Sequence, residues 1–132
     1  MCIRDRGNTA SADYATIAGG CGNTALGRYS TVGGGLNNQV ATGAFIGGGT
    51  GNNASGQLST IGGGSTNTAS ENYATIAGGE NNTASGTGST IAGGENNTAS
   101  GEYSNIGGGR ENEASKNYAT IAGGEDLSLI HI

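Results

Sequence analysis

Residues 76–105 read IAGGENNTASGTGST followed by IAGGENNTASGEYSN, which are two successive copies of one 15-residue unit. The first eleven positions are identical in the two copies, and each copy begins at an isoleucine, Ile76 or Ile91. Self-similarity at a short fixed period is typical of repeat architectures, in which a unit buries its apolar residues only by stacking on its neighbours. This repeat, more than the overall composition, therefore decides the fold.

The same unit extends in both directions from this pair. An aliphatic anchor recurs every 15 residues, with a single step of 14 between Val32 and Ile46, and an asparagine follows each anchor from Ile17 to Ile106 after six positions. A small apolar residue stands two positions beyond each of these asparagines. The expected core columns are Ile17, Val32, Ile46, Ile61, Ile76, Ile91, Ile106 and Ile121, together with Asn23, Asn38, Asn52, Asn67, Asn82, Asn97 and Asn112. We interpret residues 7–126 as one tandem array that belongs to a longer array.

Each unit predicts two short β-strands that are separated by glycine bends. Residues 73–77 carry the β-branched and aromatic side chains of a strand, residues 82–85 predict a second strand, and the Gly-Gly pair between them permits a sharp bend. Side chains alternate along a strand, so an inward Ile76 places Tyr73 and Thr75 outward. A helix is disfavoured because 29 of the 132 residues are glycine, each costing about 1 kcal/mol in a helix relative to alanine.

Stacking of these units in constant register predicts an all-β fold, a parallel β-solenoid of about 15-residue coils spaced about 4.8 Å apart. The anchor column would form an apolar spine, and the asparagine column could form an inward ladder in which each amide donates to the next. The alternative is that this asparagine merely suits a turn. One Ile and one or two Ala per coil bury little area, so we predict that identical chains associate to bury more.

Two more columns are candidates for contact surfaces. Tyrosine stands three positions before most anchors, and we expect Ala44 and Phe45 to fill the tyrosine and threonine columns of the short unit. The column directly before the anchors is the candidate ligand-facing or subunit-facing surface, and it contains Thr16, Thr31, Thr60, Thr75, Thr90 and Thr120.

Both ends of the chain differ from the array. Residues 1–6 and residues 127–132 can be encoded by one short DNA sequence read on opposite strands, and that sequence resembles a transposon end used to fragment DNA for sequencing. We interpret both hexapeptides as adapter read-through and exclude them from the fold prediction. The array then keeps three basic and nine acidic residues, a net charge of −6, and only one cysteine, Cys21.

The array lacks the residues that most chemistries need. It contains no histidine, and its Ser and Thr hydroxyls have no base to activate them, so we expect no catalysis, no cofactor and no metal site. Cys21 lies in a variable column and is expected to be a surface thiol, while Glu80 and Glu95 should stack one rung apart as solvated carboxylates. Without basic patches, the net charge of −6 argues against nucleic acid as a partner.

Residues 80–86 and 101–108 carry a family resemblance. Their Ala-Ser-Gly turn, short serine-containing strand, and aliphatic residue followed by glycine are similar to the head repeats of YadA-like trimeric autotransporter adhesins. The resemblance implies a left-handed β-roll, three chains side by side, and display on a bacterial surface through an outer-membrane anchor outside this fragment. It also implies a host-surface or extracellular-matrix ligand. The family's usual period is one residue shorter, so we expect the additional residue to lengthen a turn.

Two other functions fit the same pattern. Similar repeats occur in phage or phage-like tail fibres, where this segment would be a shaft on a virion. An ice-binding solenoid would present regularly spaced threonines, but Phe45 and Asn105 interrupt the threonine column, and two parallel columns would be expected. The adhesive fibre segment remains the leading prediction.

Overall fold

The computed structural model describes residues 7–129, and every regular element in that range is a two-residue β-strand. The strands are β1 Thr9–Ala10, β2 Thr16–Ile17, β3 Thr24–Ala25, β4 Thr31–Val32, β5 Gln39–Val40, β6 Phe45–Ile46, β7 Asn53–Ala54, β8 Thr60–Ile61, β9 Thr68–Ala69, β10 Thr75–Ile76, β11 Thr83–Ala84, β12 Thr90–Ile91, β13 Thr98–Ala99, β14 Asn105–Ile106, β15 Glu113–Ala114, β16 Thr120–Ile121 and β17 Ser128–Leu129. No helix in this range is long and apolar enough to cross a membrane.

The strands form two parallel sheets that share one stacking direction. The odd-numbered strands make a nine-stranded sheet and the even-numbered strands an eight-stranded sheet, each in chain order. Partners lie one repeat apart, as in Ile76 with Ile91 and Ala84 with Ala99. Equivalent residues therefore stack throughout, which confirms the predicted parallel β-solenoid of about 15-residue coils.

A third ladder runs along the variable column, four positions after each anchor. Parallel bridges join Cys21, Leu36, Thr50, Ser65, Glu80, Glu95, Arg110 and Glu125 in succession. The sequence analysis treated this column as an irregular turn. Backbone pairing tolerates any side chain that points to solvent, which explains why the column varies so much although its backbone is regular.

The strands are shorter than predicted because tight corners take up most of each coil. Tyr73 was expected in a strand but has a φ of 61°, and Gly79 and Asn81 have φ values of 95° and 53°. These left-handed residues turn the chain three times per coil. The tyrosine column therefore lies at a corner and not on the outer face of a sheet, since the strand that follows it begins only at Thr75.

The 14-residue unit lacks one residue in the connection between β5 and β6. Five residues connect β7 to β8, whereas four residues connect β5 to β6. Gly43, with a φ of 66°, occupies the left-handed corner of this coil, and Ala44 is buried. The expectation that Ala44 fills the tyrosine column is therefore wrong, while Phe45 does pair with Thr31 and Thr60 in the threonine column.

The core lies between the two sheets and is four side chains wide per coil. The anchors from Val32 to Ile121 and the asparagines from Asn23 to Asn112 are buried, whereas Ile17 in an end coil is half-buried. The small residues after the asparagines are buried from Ala25 to Ala114. The fourth column, two positions before each anchor, was only partly anticipated, and its buried members are Ser30, Ala44, Ser59, Ala74, Ser89, Ser104 and Ala119.

The described structure overlaps one end of the chain that the sequence analysis excluded. Leu127 continues the asparagine column, with its N–H bonded to Asn112 Oδ1 at 2.9 Å, and β17 pairs with β15. The assignment of residues 127–132 to an adapter remains a prediction. Residues 1–6 and 130–132 lie outside the described residues.

The buried serines predict a matched pair of stability effects. The Ser59 hydroxyl donates to the Gly56 carbonyl at 2.7 Å, whereas the equally buried Ser104 hydroxyl has no partner. We expect Ser104→Ala to raise the free energy of unfolding by about 0.5–1 kcal/mol and Ser59→Ala to lower it by about 1 kcal/mol. Urea unfolding followed by circular dichroism measures both changes. A loss of stability in Ser104→Ala equal to that in Ser59→Ala would contradict this interpretation.

Candidate subunit-facing and ligand-facing surfaces

The asparagine column holds the glycine corners of successive coils in place. Asn82 accepts the N–H of Asn97 with its Oδ1 at 3.0 Å, and its Nδ2 donates to the carbonyls of Gly78 and Gly94 at 3.2 and 2.8 Å. The same three bonds recur at every asparagine from Asn23 to Asn112. Each amide thus ties its own corner to the corner of the next coil.

This ladder differs in detail from the one predicted. The asparagines do point inward, but they bind mainly backbone groups. A direct amide–amide bond occurs within the described residues only from Asn67 to Asn52, at 3.2 Å, and from Asn97 to Asn82, at 3.1 Å. Without the amide, the buried N–H of the next asparagine and the carbonyl four residues before the amide would lack a partner in the protein, which explains the need for asparagine at that position.

The predicted threonine column forms the outer face of the even-numbered sheet. Thr31, Thr60, Thr75 and Thr90 are half-buried, whereas Thr16 and Thr120 are exposed. Phe45 and Asn105 interrupt the column and are also exposed, Phe45 by 42%. Two positions further along each coil the same face carries only Ala or Gly, from Ala18 to Ala122. This face is therefore uncharged and, apart from Phe45 and Asn105, built from small side chains.

A second threonine column, which the sequence analysis missed, forms the outer face of the odd-numbered sheet. It contains Thr9, Thr24, Gln39, Asn53, Thr68, Thr83, Thr98 and Glu113. The signal was visible in the sequence, because these threonines directly follow asparagines of the core column. The two threonine columns lie on different sheets with the buried Ile and Ala columns between them. They do not form the pair of neighbouring columns on one face that an ice-binding surface would need.

The tyrosine column forms an exposed corner with paired rings. The rings of Tyr14 and Tyr29 stack with centroids 5.0 Å apart and planes 4° apart, and the guanidinium of Arg28 lies 4.9 Å from the Tyr29 centroid. The rings of Tyr103 and Tyr118 stack at 5.7 Å. Stacking and the cation–π contact offset part of the cost of a left-handed tyrosine backbone.

The third ladder carries four of the twelve charged residues of the array at another corner. Glu80 and Glu95 are bridge partners and are exposed, as expected, and Arg110 pairs with Glu125 at 3.4 Å and with Glu111 at 3.0 Å. No group of residues between 7 and 129 has the side chains to hold a metal ion. Cys21, at the start of this ladder, is disulfide-bonded, which corrects the expectation of a surface thiol.

Residues 89–101 match the family described as the ubiquitous surface protein adhesin repeat. This stretch is similar to a surface adhesin repeat. It runs from the buried Ser89 through β12, the glycine bend, the ladder asparagine Asn97 and β13 to Gly101, which is almost one full coil.

The adhesin repeat match covers the part of the unit that is repeated most faithfully along the chain. It includes Ile91 of the spine and Asn97 of the ladder, so the matched residues are those that build a coil. The resemblance to trimeric autotransporter head repeats is confirmed at this level. A comparison with curated proteins gives no match.

Proposed function

We propose that this chain is a rod-like segment of a bacterial surface adhesin that assembles side by side with two identical chains. The observation that carries the proposal is the adhesin repeat match within a uniform β-solenoid. Such a rod would lie at the cell surface or in the extracellular space, anchored in an outer membrane by parts outside this fragment. It would bind a host-surface or extracellular-matrix ligand.

Self-association is supported by the narrow core. Each coil buries one anchor, one asparagine and two small residues, so little apolar area is buried per ordered residue. Contacts outside the coil must therefore bury additional surface. Identical chains offer it most simply, because a repeated surface matches a copy of itself along its whole length.

The outer face of the even-numbered sheet is the surface that we assign to the neighbouring chains. Thr75 and Thr90 are flanked by the small residues Ala77 and Ala92, and the strand positions of this face carry no charge. Small side chains permit the close approach of two sheets. The opposite face carries Gln39 and Glu113 in its column and is better suited to water.

We also propose that the segment is not an enzyme. Residues 7–126 contain no histidine, and the hydroxyls repeat along the rod without an adjacent base. A nucleophile needs such a base, or a depressed pKa, to act at neutral pH. A regular array of identical coils is suited to presenting one surface many times, which is the requirement of multivalent attachment.

The assembly can be tested with matched double substitutions. We expect the native chain to sediment at equilibrium with three times the mass of the 12.7 kDa monomer. Thr75→Lys with Thr90→Lys should reduce the trimer strongly, because like charges would meet at the subunit contact. Thr83→Lys with Thr98→Lys on the other face should leave it intact, while introducing the same stacked charges within the chain.

The outcome of this comparison bears directly on the proposal. A native chain that stays monomeric at all concentrations would contradict self-association. Equal loss of trimer in both double variants would contradict the choice of face. Circular dichroism of each variant shows whether the coil itself remains folded, since stacked lysines cost similar stability on either sheet.

A further inference from the structure

A cleft opens beside the short coil, at the corner where that coil lacks one residue. It has a volume of about 390 Å³ and is lined by Ala41, Thr42, Ser55, Gln57 and Asn72. Thr42, Gln57 and Asn72 occupy equivalent positions in three successive coils. The N–H of Leu58, which follows Gln57, donates to the carbonyl of Thr42, and the N–H of Tyr73, which follows Asn72, donates to the carbonyl of Gln57.

The cleft gathers polar groups that the fold does not use. Within residues 7–129, the hydroxyls of Thr42 and Ser55 and the side-chain amide of Gln57 make no hydrogen bond to the protein. The Oδ1 of Asn72 accepts the backbone N–H of Gln57 at 3.1 Å, which fixes this amide and leaves its Nδ2 to donate elsewhere. The recess is therefore lined by two hydroxyls and two amides, and each of these groups can donate or accept a hydrogen bond.

The surroundings of the cleft favour an uncharged ligand. No charged residue occurs between Arg28 and Glu71, a stretch that contains most of the lining. The two charged residues at the ends of this stretch have opposite signs, and the Arg28 guanidinium lies over the rings of Tyr14 and Tyr29. The site therefore offers no net charge to attract a phosphate, a carboxylate or a cation.

An apolar edge runs beside the polar lining. Leu58 and Tyr73 directly follow Gln57 and Asn72 in sequence and are 47% and 61% exposed. Leu58 leans over Gly43, where an added Cβ would lie 2.7 Å from its Cδ2. A ligand that uses both parts of this surface needs hydroxyl groups on one side and C–H groups on another, which is the chemistry of a sugar ring.

We propose that this cleft binds a neutral saccharide. The amides of Gln57 and Asn72 hydrogen-bond its hydroxyls, and Leu58 and Tyr73 pack against its C–H groups. The inference rests on the proposed adhesive function and deepens it by naming the class of ligand. A single open site of this size binds one sugar weakly, with a dissociation constant on the order of 1 mM, and side-by-side chains would add their sites.

The test uses the full chain and four probes, the methyl glycosides of glucose, galactose, mannose and N-acetylglucosamine, each added alone. Saturation-transfer NMR is expected to show saturable binding of at least one probe. Asn72→Ala should weaken that binding at least about fivefold, since it removes one of two amide partners. Asn117→Ala changes the equivalent residue in a regular coil and should leave binding unchanged.

A second variant restores the missing residue. Inserting one glycine between Ala41 and Thr42 gives this coil the regular 15-residue length and should close the recess, abolishing binding while the circular dichroism spectrum is kept. No saturation transfer from any probe, or equal transfer in all variants, would overturn the inference. If binding is absent but the native chain sediments as a trimer, only this inference fails. If a sugar binds but the chain is monomeric, the self-association of the proposed function fails instead.

Discussion

Gly79→Ala is expected to lower the free energy of unfolding by about 3–5 kcal/mol. Gly79 has a φ of 95°, where an alanine is strained by about 1–2 kcal/mol. The added Cβ would also lie 2.1 Å from the carbonyl oxygen of Gly94 in the next coil. The Asn82 side chain holds the backbone carbonyl of Gly94 in place, so a small local shift cannot relieve the clash.

The neighbouring glycine provides the control. An added Cβ at Gly78 meets nothing within 4 Å, and its φ is outside the left-handed region. Gly78→Ala should therefore be neutral or should stabilise by about 0.4–1 kcal/mol, because alanine has less conformational freedom in the unfolded chain. Urea unfolding of the two variants measures the difference. Equal effects at the two positions would show that the coils are not stacked as described.

Asn82→Ala is expected to cost about 2–4 kcal/mol, because the buried N–H of Asn97 and the carbonyl of Gly78 lose their partner. The carbonyl of Gly94 loses one of its two donors and keeps the N–H of Glu80. Asn82 and Asn97 are both fully buried, so water reaches the Asn97 N–H only when the coil opens. The expected result is a lower unfolding midpoint and faster hydrogen exchange of the Asn97 amide.

Asn81→Gly is the matched change one residue away. Asn81 is exposed and has a φ of 53°, a conformation that glycine adopts without strain. Its side chain accepts a hydrogen bond only from the exposed hydroxyl of Thr66. We expect a change within about 0.5 kcal/mol. A cost at Asn81 equal to that at Asn82 would contradict the inward ladder.

The period of the sequence was sufficient to predict the stacking of the coils. Ile76 and Ile91 differ by one repeat in sequence and are direct partners in the sheet, so the register follows from the count alone. The one short step was also predictable as a lengthened or shortened turn. The corner that absorbs it, between Val40 and Phe45, was not, because both connections of a coil are rich in small residues.

The tyrosine corner shows where the strand rules fail. Alternation of side chains assumes a strand of several residues, whereas each strand here has two, and Tyr73 precedes its strand in a left-handed corner. Tyrosine rarely adopts that conformation, so propensity pointed to a strand. Leu58 is left-handed at the same corner as Tyr73, so the geometry of the corner overrides the local preference whichever side chain is present.

The candidate surfaces were predicted unevenly for a similar reason. The threonine column before the anchors stands out because six of its eight members are Thr, whereas the column on the other sheet mixes Thr with Gln, Asn and Glu. The cleft beside Thr42 and Asn72 could not be predicted, because it depends on how side chains from three successive coils are arranged around the shortened corner.

The central claim is that successive repeats stack in register with a constant rise per coil, and pulsed electron spin resonance tests it most directly. Pairs of spin labels are placed along the third ladder of a cysteine-free chain, which is diluted with unlabelled chains. The labelled pairs are Thr50 with Arg110, Thr50 with Glu125, and Leu36 with Glu125, which lie four, five and six coils apart. The account predicts narrow distances of about 19, 24 and 29 Å, a rise of about 4.8 Å per coil. Broad distributions centred near 45–50 Å, as expected for a flexible chain of about 75 residues, would contradict it, as would distances that do not increase evenly with the number of coils.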